Sequence, residues 1–122
     1  MNQKRFSVRA RLMSFVYAIR GIKALFTTEH NAYIHLLATL IAFALGVVLK
    51  IDRYEWLWLT MAIVLVFTAE LVNTAIEQLC DVVQPDYSEK IKTIKDLAAA
   101  ATLVCAIGAV VIGCLIFIRY FI

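Results

Sequence analysis

Proline, glycine and charged residues are scarce in this 122-residue chain, which has one proline, four glycines and only 17% charged residues. Hydrophobic residues make up 63%, against ~45–50% in an ordinary soluble domain. The three cysteines, Cys80, Cys105 and Cys114, form no C-x-x-C pair, so the pattern indicates neither a disulfide scaffold nor a metal site. The composition excludes a disordered chain and a conventional water-soluble core. It predicts one integral membrane domain over residues 1–122.

Acidic residues are absent from the first 23 positions, which hold half of the basic residues: Lys4, Arg5, Arg9, Arg11, Arg20 and Lys23. Between these charges, apolar residues recur every three or four positions from Val8 to Phe26. This spacing predicts a basic amphipathic helix over about residues 5–28 that lies on the membrane surface. A nucleic-acid-binding arm is the competing interpretation. The large apolar residues among the charges argue against it, so no nucleic-acid partner is expected.

Three apolar runs, residues 32–49, 56–83 and 97–118, are each predicted to span a membrane, because ~20 helical residues cross ~30 Å of hydrocarbon. The loop at residues 50–55 balances two bases against two acids, whereas the N-terminal segment is basic. The positive-inside rule therefore predicts a multi-pass protein of the inner (cytoplasmic) membrane, with the N-terminus and the 81–96 loop in the cytoplasm. Small residues four apart predict close helix packing and favour oligomers. They are Ala38, Ala42 and Gly46 in the first run, and Ala101, Cys105, Ala109 and Gly113 in the third.

Acidic side chains inside the second apolar run point most directly to a function. Glu70, Asn73, Glu77 and Asp81 are three, four and four residues apart, which places them along one face of a helix. Glu70 lies ~21 Å along the helix from Trp56, at ~1.5 Å per residue, and therefore inside the hydrocarbon. An ionisable group there costs on the order of 2–3 kcal/mol, so a functional residue is favoured. A polar seam of interhelical hydrogen bonds is the alternative, but Asn73 alone would suffice for it.

More charged residues are predicted to meet at the same membrane boundary. Glu29 precedes the first span, while Lys92, Lys95 and Asp96 lie near the start of the third. Carboxylates are typical Mg²⁺ ligands and lysines bind phosphate oxygens, so this grouping suits ATP with a divalent cation. The sequence contains no Walker A motif and no protein-kinase motif, which excludes both standard phosphoryl-transfer architectures. The two histidines lack the spacing of a helical zinc pair and are predicted to lie at the membrane interface.

These residues resemble a known family, the small bacterial diacylglycerol kinases and undecaprenol kinases. The resemblance rests on the run Glu70-Leu-Val-Asn73-Thr-Ala-Ile-Glu77, with Asp81 four residues later and Lys95-Asp96 in the next helix. It extends over about residues 11–110, beginning with Arg11, a Ser-Phe-Val-Tyr-Ala run and a Gly-Ile pair. Glu29, Asn31 and His35 form an E-x-N-x-x-x-H pattern similar to the undecaprenol kinase branch.

The resemblance implies an all-α integral membrane protein with an N-terminal surface helix, three membrane-spanning helices and a homotrimeric bundle. It implies an ATP- and Mg²⁺-dependent lipid kinase that acts on a primary hydroxyl, with undecaprenol favoured over diacylglycerol. Its active sites would be composite, built between neighbouring subunits. Glu70 would be the general base, and Glu29 and Glu77 would bind the metal. The nucleotide would be held by these two carboxylates together with Arg11, Asn73, Lys95 and Asp96.

Two other classes of protein remain open at this point. A small proton-coupled membrane transporter would use Glu70 as its proton carrier, but would place it near the midplane and would not need the Lys95-Asp96 pair. A non-catalytic membrane assembly subunit would tolerate Gln or Asn at its polar positions.

Overall fold

The computed structural model describes residues 5–122, and these form four α-helices and a short 3₁₀ turn. The helices are α1 (Val8–Thr28), α2 (His30–Leu49), α3 (Arg53–Val83) and α4 (Glu89–Phe117), and the turn is Ile118–Tyr120. No β-strand occurs within this range, so the predicted all-α class is confirmed. Lys4, counted above in the basic segment, lies outside the described residues.

The helices α2, α3 and α4 with its terminal turn are each long and apolar enough to cross a bilayer. All three begin earlier than the apolar runs indicate, α2 by two residues, α3 by three and α4 by eight, because a helix can begin with polar residues that an apolar run leaves out. α3 begins at Arg53 because Asp52 caps it: its Oδ1 accepts from the Glu55 backbone N–H at 3.0 Å, and Glu55 Oε2 accepts from the Asp52 N–H at 3.1 Å. This reciprocal capping box has a readable sequence signature, D-x-x-E. α4 begins at Glu89, so Lys95 and Asp96 lie in its second turn.

The apolar core sits at the end of the bundle where α2 connects to α3 and α4 ends. Its buried centre is Ile51, Leu59 and Ile116, and α3 and α4 form the most extensive helix pair. Gly46 of α2 is buried against Trp56, and a Cβ there would lie 2.7 Å from Trp56 Cη2. On the predicted α2 ridge, Gly46 and Ala42 therefore pack within the chain, whereas Ala38 is exposed. On the α4 ridge, a Cβ at Gly113 would meet nothing within 4 Å.

The other end of the bundle is where α1 joins α2. Glu29 separates the two helices in an extended conformation, with φ −116° and ψ 114°. α1 is anchored there by buried Leu25 and by Phe26, whose ring centroid lies 5.4 Å from Tyr33 and 6.3 Å from Phe67. The earlier turns of α1 leave their large apolar side chains exposed in the single chain, including Leu12, Phe15 and Ile19.

Candidate functional site

A cavity of about 400 Å³ opens between α2, α3 and α4 at the α1 end of the bundle. We call it the carboxylate cavity. Its polar lining is Glu29, Asn31, His35, Glu70, Asn73 and Glu77, with Thr102 from α4. Its apolar lining includes Ile34, Leu103 and Ala106. The cavity therefore combines acidic side chains with apolar ones.

Glu70 is the most buried acid of the cavity, with only 3% of its surface exposed. Its Oε1 lies 2.9 Å from His35 Nε2, and no lysine or arginine among residues 5–122 pairs with it. A buried carboxylate without a cationic partner is costly. A chain that retains such a group at the mouth of a cavity has the features of an acid–base site rather than of a packing seam.

Asn73 lies one turn beyond Glu70 on the same face of α3 and is also buried. Its Oδ1 has no hydrogen-bond partner in the described part of the chain. Leaving a buried acceptor unsatisfied costs about 1–3 kcal/mol. Since Asn73 lines the cavity, this oxygen is available to a donor on a bound ligand.

Glu29 and Glu77 form the acidic rim of the cavity, and both are half-buried. Partial burial raises the pKa of Glu29 above its ordinary value, and the neighbouring carboxylates of Glu77 and then Glu70 raise it further. Neighbouring carboxylates of this kind are a donor set that a hard divalent cation neutralises. No group of three or more metal-binding side chains is arranged for an ion within residues 5–122. The residues fit a cation that takes its remaining ligands from phosphate oxygens or water.

Lys95 and Asp96 lie in a second, smaller cavity of about 270 Å³ beside the α3–α4 connection. Lys95 Nζ lies 2.6 Å from Asp81 Oδ1, and Lys92 Nζ lies 2.8 Å from Asp96 Oδ2. Asp81 follows Glu70, Asn73 and Glu77 on the predicted stripe of α3, but it lines this second cavity rather than the carboxylate cavity. Asp81 follows the buried part of α3, and the short connection to α4 brings Lys95 against it.

The structure thus brings together four of the seven predicted site residues, namely Glu29, Glu70, Asn73 and Glu77. Lys95 and Asp96 are at the same end of the bundle but in the other cavity. Arg11 lines neither cavity; it is exposed on α1, with its guanidinium carbon 5.6 Å from the centroid of the Phe6 ring.

His35 is the site residue that sequence reasoning missed. The sequence predicts a position at the membrane interface and no contact with Glu70, whereas the structure places His35 half-buried on α2 and hydrogen-bonded to Glu70. A signal was present, because two ionisable residues inside apolar spans are expected to pair with one another. The spacing of 35 positions between them hid the pairing.

A different polar cluster occupies the opposite end of the bundle, which we call the C-terminal cluster: Asp52, Glu55, Arg119 and Tyr120. Arg119 Nη2 lies 3.1 Å from Asp52 Oδ2 and 2.6 Å from Glu55 Oε1, and the Tyr120 hydroxyl donates to Glu55 Oε2 at 2.6 Å. Hydrogen bonding from the Glu55 backbone, assisted by the Arg119 guanidinium, lowers the pKa of Asp52.

Comparison with known proteins gives a consistent picture. The family model described as prokaryotic diacylglycerol kinase matches residues 16–117. The chain is 36% identical over 105 residues to a Bacillus subtilis (strain 168) protein named undecaprenol kinase, covering 86% of this chain and 85% of the relative. It is 36% identical over 103 residues to a Synechocystis diacylglycerol kinase, covering 84% of this chain but 59% of that relative. It is 29% identical over 105 residues to the Escherichia coli (strain K12) diacylglycerol kinase, covering 86% of each.

Proposed function

The chain belongs to the prokaryotic diacylglycerol kinase family, and we propose that it phosphorylates the primary hydroxyl of a membrane lipid alcohol, with undecaprenol preferred over diacylglycerol. Membership makes it a membrane lipid kinase with ATP as its co-substrate, which decides against the proton-coupled transporter. The observation that carries the proposal for the site is the buried Glu70, without a cationic partner among residues 5–122, in a cavity that is also lined by apolar side chains.

Glu70 is the general base in this proposal. The lipid hydroxyl oxygen attacks the γ-phosphorus of ATP, and its proton passes to the Glu70 carboxylate. The new O–P bond forms while the bond from the γ-phosphorus to the β,γ-bridging oxygen breaks, and ADP leaves with that electron pair. Phosphoryl transfer asks little covalent chemistry of the protein, so catalysis rests on positioning and on charge neutralisation.

Glu29 and Glu77 would hold Mg²⁺, which would neutralise charge on the phosphates of ATP. Burial and then the neighbouring carboxylate of Glu77 raise the pKa of Glu29, and this pairing of partly buried acids supports the assignment. Asn73 offers its unpaired amide oxygen to the nucleotide or the lipid hydroxyl. We assign nucleotide binding also to Lys95, Asp96 and Arg11. Lys95 and Asp96 are paired with acidic or basic neighbours in the single chain and would exchange those partners for ATP.

We propose further that the active site is shared between subunits of a homotrimer. Within one chain, Glu70 and Asp96 line separate cavities, and the α4 ridge around Gly113 has open space beside it. A neighbouring subunit packed on that ridge would bring a second nucleotide-binding segment to the carboxylate cavity.

Mixing two inactive variants tests the shared site. If Glu70→Gln and Asp96→Asn chains are reassembled together, some interfaces pair two intact groups, and kinase activity returns. If both residues serve a site from the same chain, every site keeps one lesion and the mixture stays inactive. Exchange of subunits is verified by pull-down of a tag carried on one variant only.

The proposed membrane placement follows from charge. The N-terminus and the 81–96 loop would face the cytoplasm at the inner membrane, where ATP is present, and α1 would lie on that surface with Arg9, Arg11 and Arg20 toward anionic headgroups. The carboxylate cavity opens at the same end of the bundle as α1 and Glu29. A lipid hydroxyl can reach this boundary from within the bilayer, and ATP can reach it from the water.

The preference for undecaprenol is supported by the pattern of Glu29, Asn31 and His35, all of which line the cavity. The test is ATP turnover by the purified protein in detergent micelles, with undecaprenol and a diacylglycerol supplied separately and Glu70→Gln as the matched control. We expect phosphate transfer to both lipids and a higher kcat/KM for undecaprenol. A higher value for diacylglycerol would reverse the preference, and transfer to neither lipid would overturn the kinase proposal.

A further inference from the structure

We infer that His35 is a positioning residue for Glu70: its Nε2–H holds Oε1 and leaves Oε2 turned into the cavity to receive the proton of the lipid hydroxyl. The inference rests on the proposed role of Glu70 as the base. It adds a residue from a different helix, α2, on which the orientation of that base depends.

The proposed base role decides which nitrogen donates, because Glu70 must be ionised to accept the proton of the lipid hydroxyl. An ionised carboxylate only accepts hydrogen bonds, so the ring nitrogen that contacts Glu70 Oε1 at 2.9 Å, Nε2, must be the donor. A bond to a charged acceptor is stronger than one between neutral groups.

Packing limits the ways in which the imidazole can turn. The His35 ring lies edge-on to Phe67 of α3, with a centroid separation of 6.4 Å and an interplanar angle of 75°. Phe67 in turn packs against Phe26 of α1, which anchors α1 to the bundle. The backbone at His35 is helical, and its carbonyl accepts from the Thr39 hydroxyl at 2.7 Å. The backbone of His35 is thus fixed by its own helix, and the imidazole is held by Glu70 and Phe67 of the helix that carries the base.

The residues around Glu70 provide no other side chain that could orient its carboxylate. The titratable groups that line the cavity with His35 are Glu29, Glu70 and Glu77, all acids, while α4 contributes only alanines, Thr102 and Leu103. Thr102 uses its hydroxyl to donate to the Ala98 carbonyl. Among residues 5–122, no side chain other than His35 donates to Glu70, and no donor contacts Oε2. The base would be unrestrained and surrounded by like charges without this one bond.

Three substitutions separate positioning from mere packing. His35→Gln retains an amide N–H that can reach Glu70. His35→Leu keeps volume but removes the donor, and His35→Asn keeps a polar group that is too short to reach. We expect His35→Leu and His35→Asn to lower kcat about tenfold or more, with the KM for ATP unchanged, and His35→Gln to stay within about threefold of the wild type. If His35→Leu does not fold, the comparison of Asn with Gln carries the test.

A double-mutant cycle shows whether His35 acts through Glu70. In the Glu70→Gln background, His35→Asn is expected to leave the residual rate unchanged, because there is no longer a carboxylate to orient. The inference is overturned if His35→Asn lowers that residual rate by the same factor as in the wild type. It is equally overturned if the Leu and Asn variants lose thermal stability but keep their kcat. Failure of the proposed function would look different, since Glu70→Gln itself would then retain full turnover.

Discussion

Both ends of the bundle carry acidic side chains of α3 or its cap, but only at one end are these acids paired with a basic side chain of the same chain. At the C-terminal cluster, Asp52 and Glu55 share the Arg119 guanidinium, and Glu55 also accepts from the Tyr120 hydroxyl. At the carboxylate cavity, the Glu70 carboxylate contacts only the imidazole of His35, and burial followed by the neighbouring acids raises the pKa of Glu29. At the C-terminal cluster, the acidic charges are neutralised by a basic side chain of the same chain. The carboxylate cavity keeps an excess of negative charge.

This difference in pairing distinguishes acids that stabilise the fold from acids whose partner would be a bound ligand. The ion pairs of Arg119 with Asp52 and Glu55 connect the terminal turn after α4 to the α2–α3 connection and the start of α3, next to the apolar core. Unpaired, partly buried acids cost stability, and such arrangements cluster at functional sites because a substrate or metal supplies the missing partner. The same residue type therefore has to be interpreted from its partners and not from its depth alone.

The largest expected effect compares one substitution at both ends, Glu70→Gln and Glu55→Gln. Glu70→Gln removes the proton acceptor, so kcat is expected to fall by ~10²–10⁴ while ATP affinity barely changes. Glu55→Gln weakens a charged hydrogen-bond network, so it is expected to cost about 1–3 kcal/mol of stability with kcat within about twofold. Lipid phosphorylation and thermal unfolding in the same micelles measure both. If the Glu70→Gln protein keeps more than about a tenth of wild-type kcat, Glu70 is not the general base and its role is structural.

An intermediate effect is expected at the acidic rim, from Glu77→Gln and Glu29→Gln. Each removes one anionic ligand of a hard cation, so the Mg²⁺ concentration that gives half-maximal activity is expected to rise by roughly tenfold or more. High Mg²⁺ is expected to rescue at least one variant in part, and Asp52→Asn at the other end is the matched control without such a shift. If the Mg²⁺ titration curves of both rim variants coincide with that of the wild type, Glu29 and Glu77 do not bind the metal.

The smallest effect is on the pH dependence of stability, and it has opposite signs at the two ends. The pKa of Asp52 is lowered, so ionised Asp52 stabilises the fold at neutral pH, and this contribution is lost as pH falls through the lowered value. The pKa of Glu29 is raised, so the fold binds its proton more tightly than the unfolded chain does, and stability falls as pH rises through the ordinary value of 4.5 toward the raised one.

Thermal unfolding in micelles with a chelator checks this pair of signs. At neutral pH, Asp52→Asn is expected to be less stable than the wild type and Glu29→Gln more stable, with both differences closing on acidification. Two differences of the same sign would contradict the contrast between the two ends.

The family, the all-α class and three helices able to span a membrane could be predicted from the sequence, because apolar length, helical spacing and a distinctive motif are local properties. The stripe of Glu70, Asn73 and Glu77 was equally predictable, since helical periodicity alone places them on one face. The early start of α3 was readable in the Asp52-x-x-Glu55 signature. The pairing of His35 with Glu70 could be suspected at most, since nothing local connects residues on two different helices.

The sequence alone determined which helices are long and apolar enough to span a membrane and which side chains share a helix face, because the spacing of residues along a regular helix fixes the directions of their side chains. Only the tertiary structure decided which acids are neutralised. Asp52 and Glu55 meet Arg119 from 67 and 64 positions away, and Lys95 reaches Asp81 across the α3–α4 connection. Glu29 and Glu77 come from separate segments to one cavity. Charge neutralisation depends on distances of a few ångströms between helices, and these distances are set by how the helices pack rather than by any single helix.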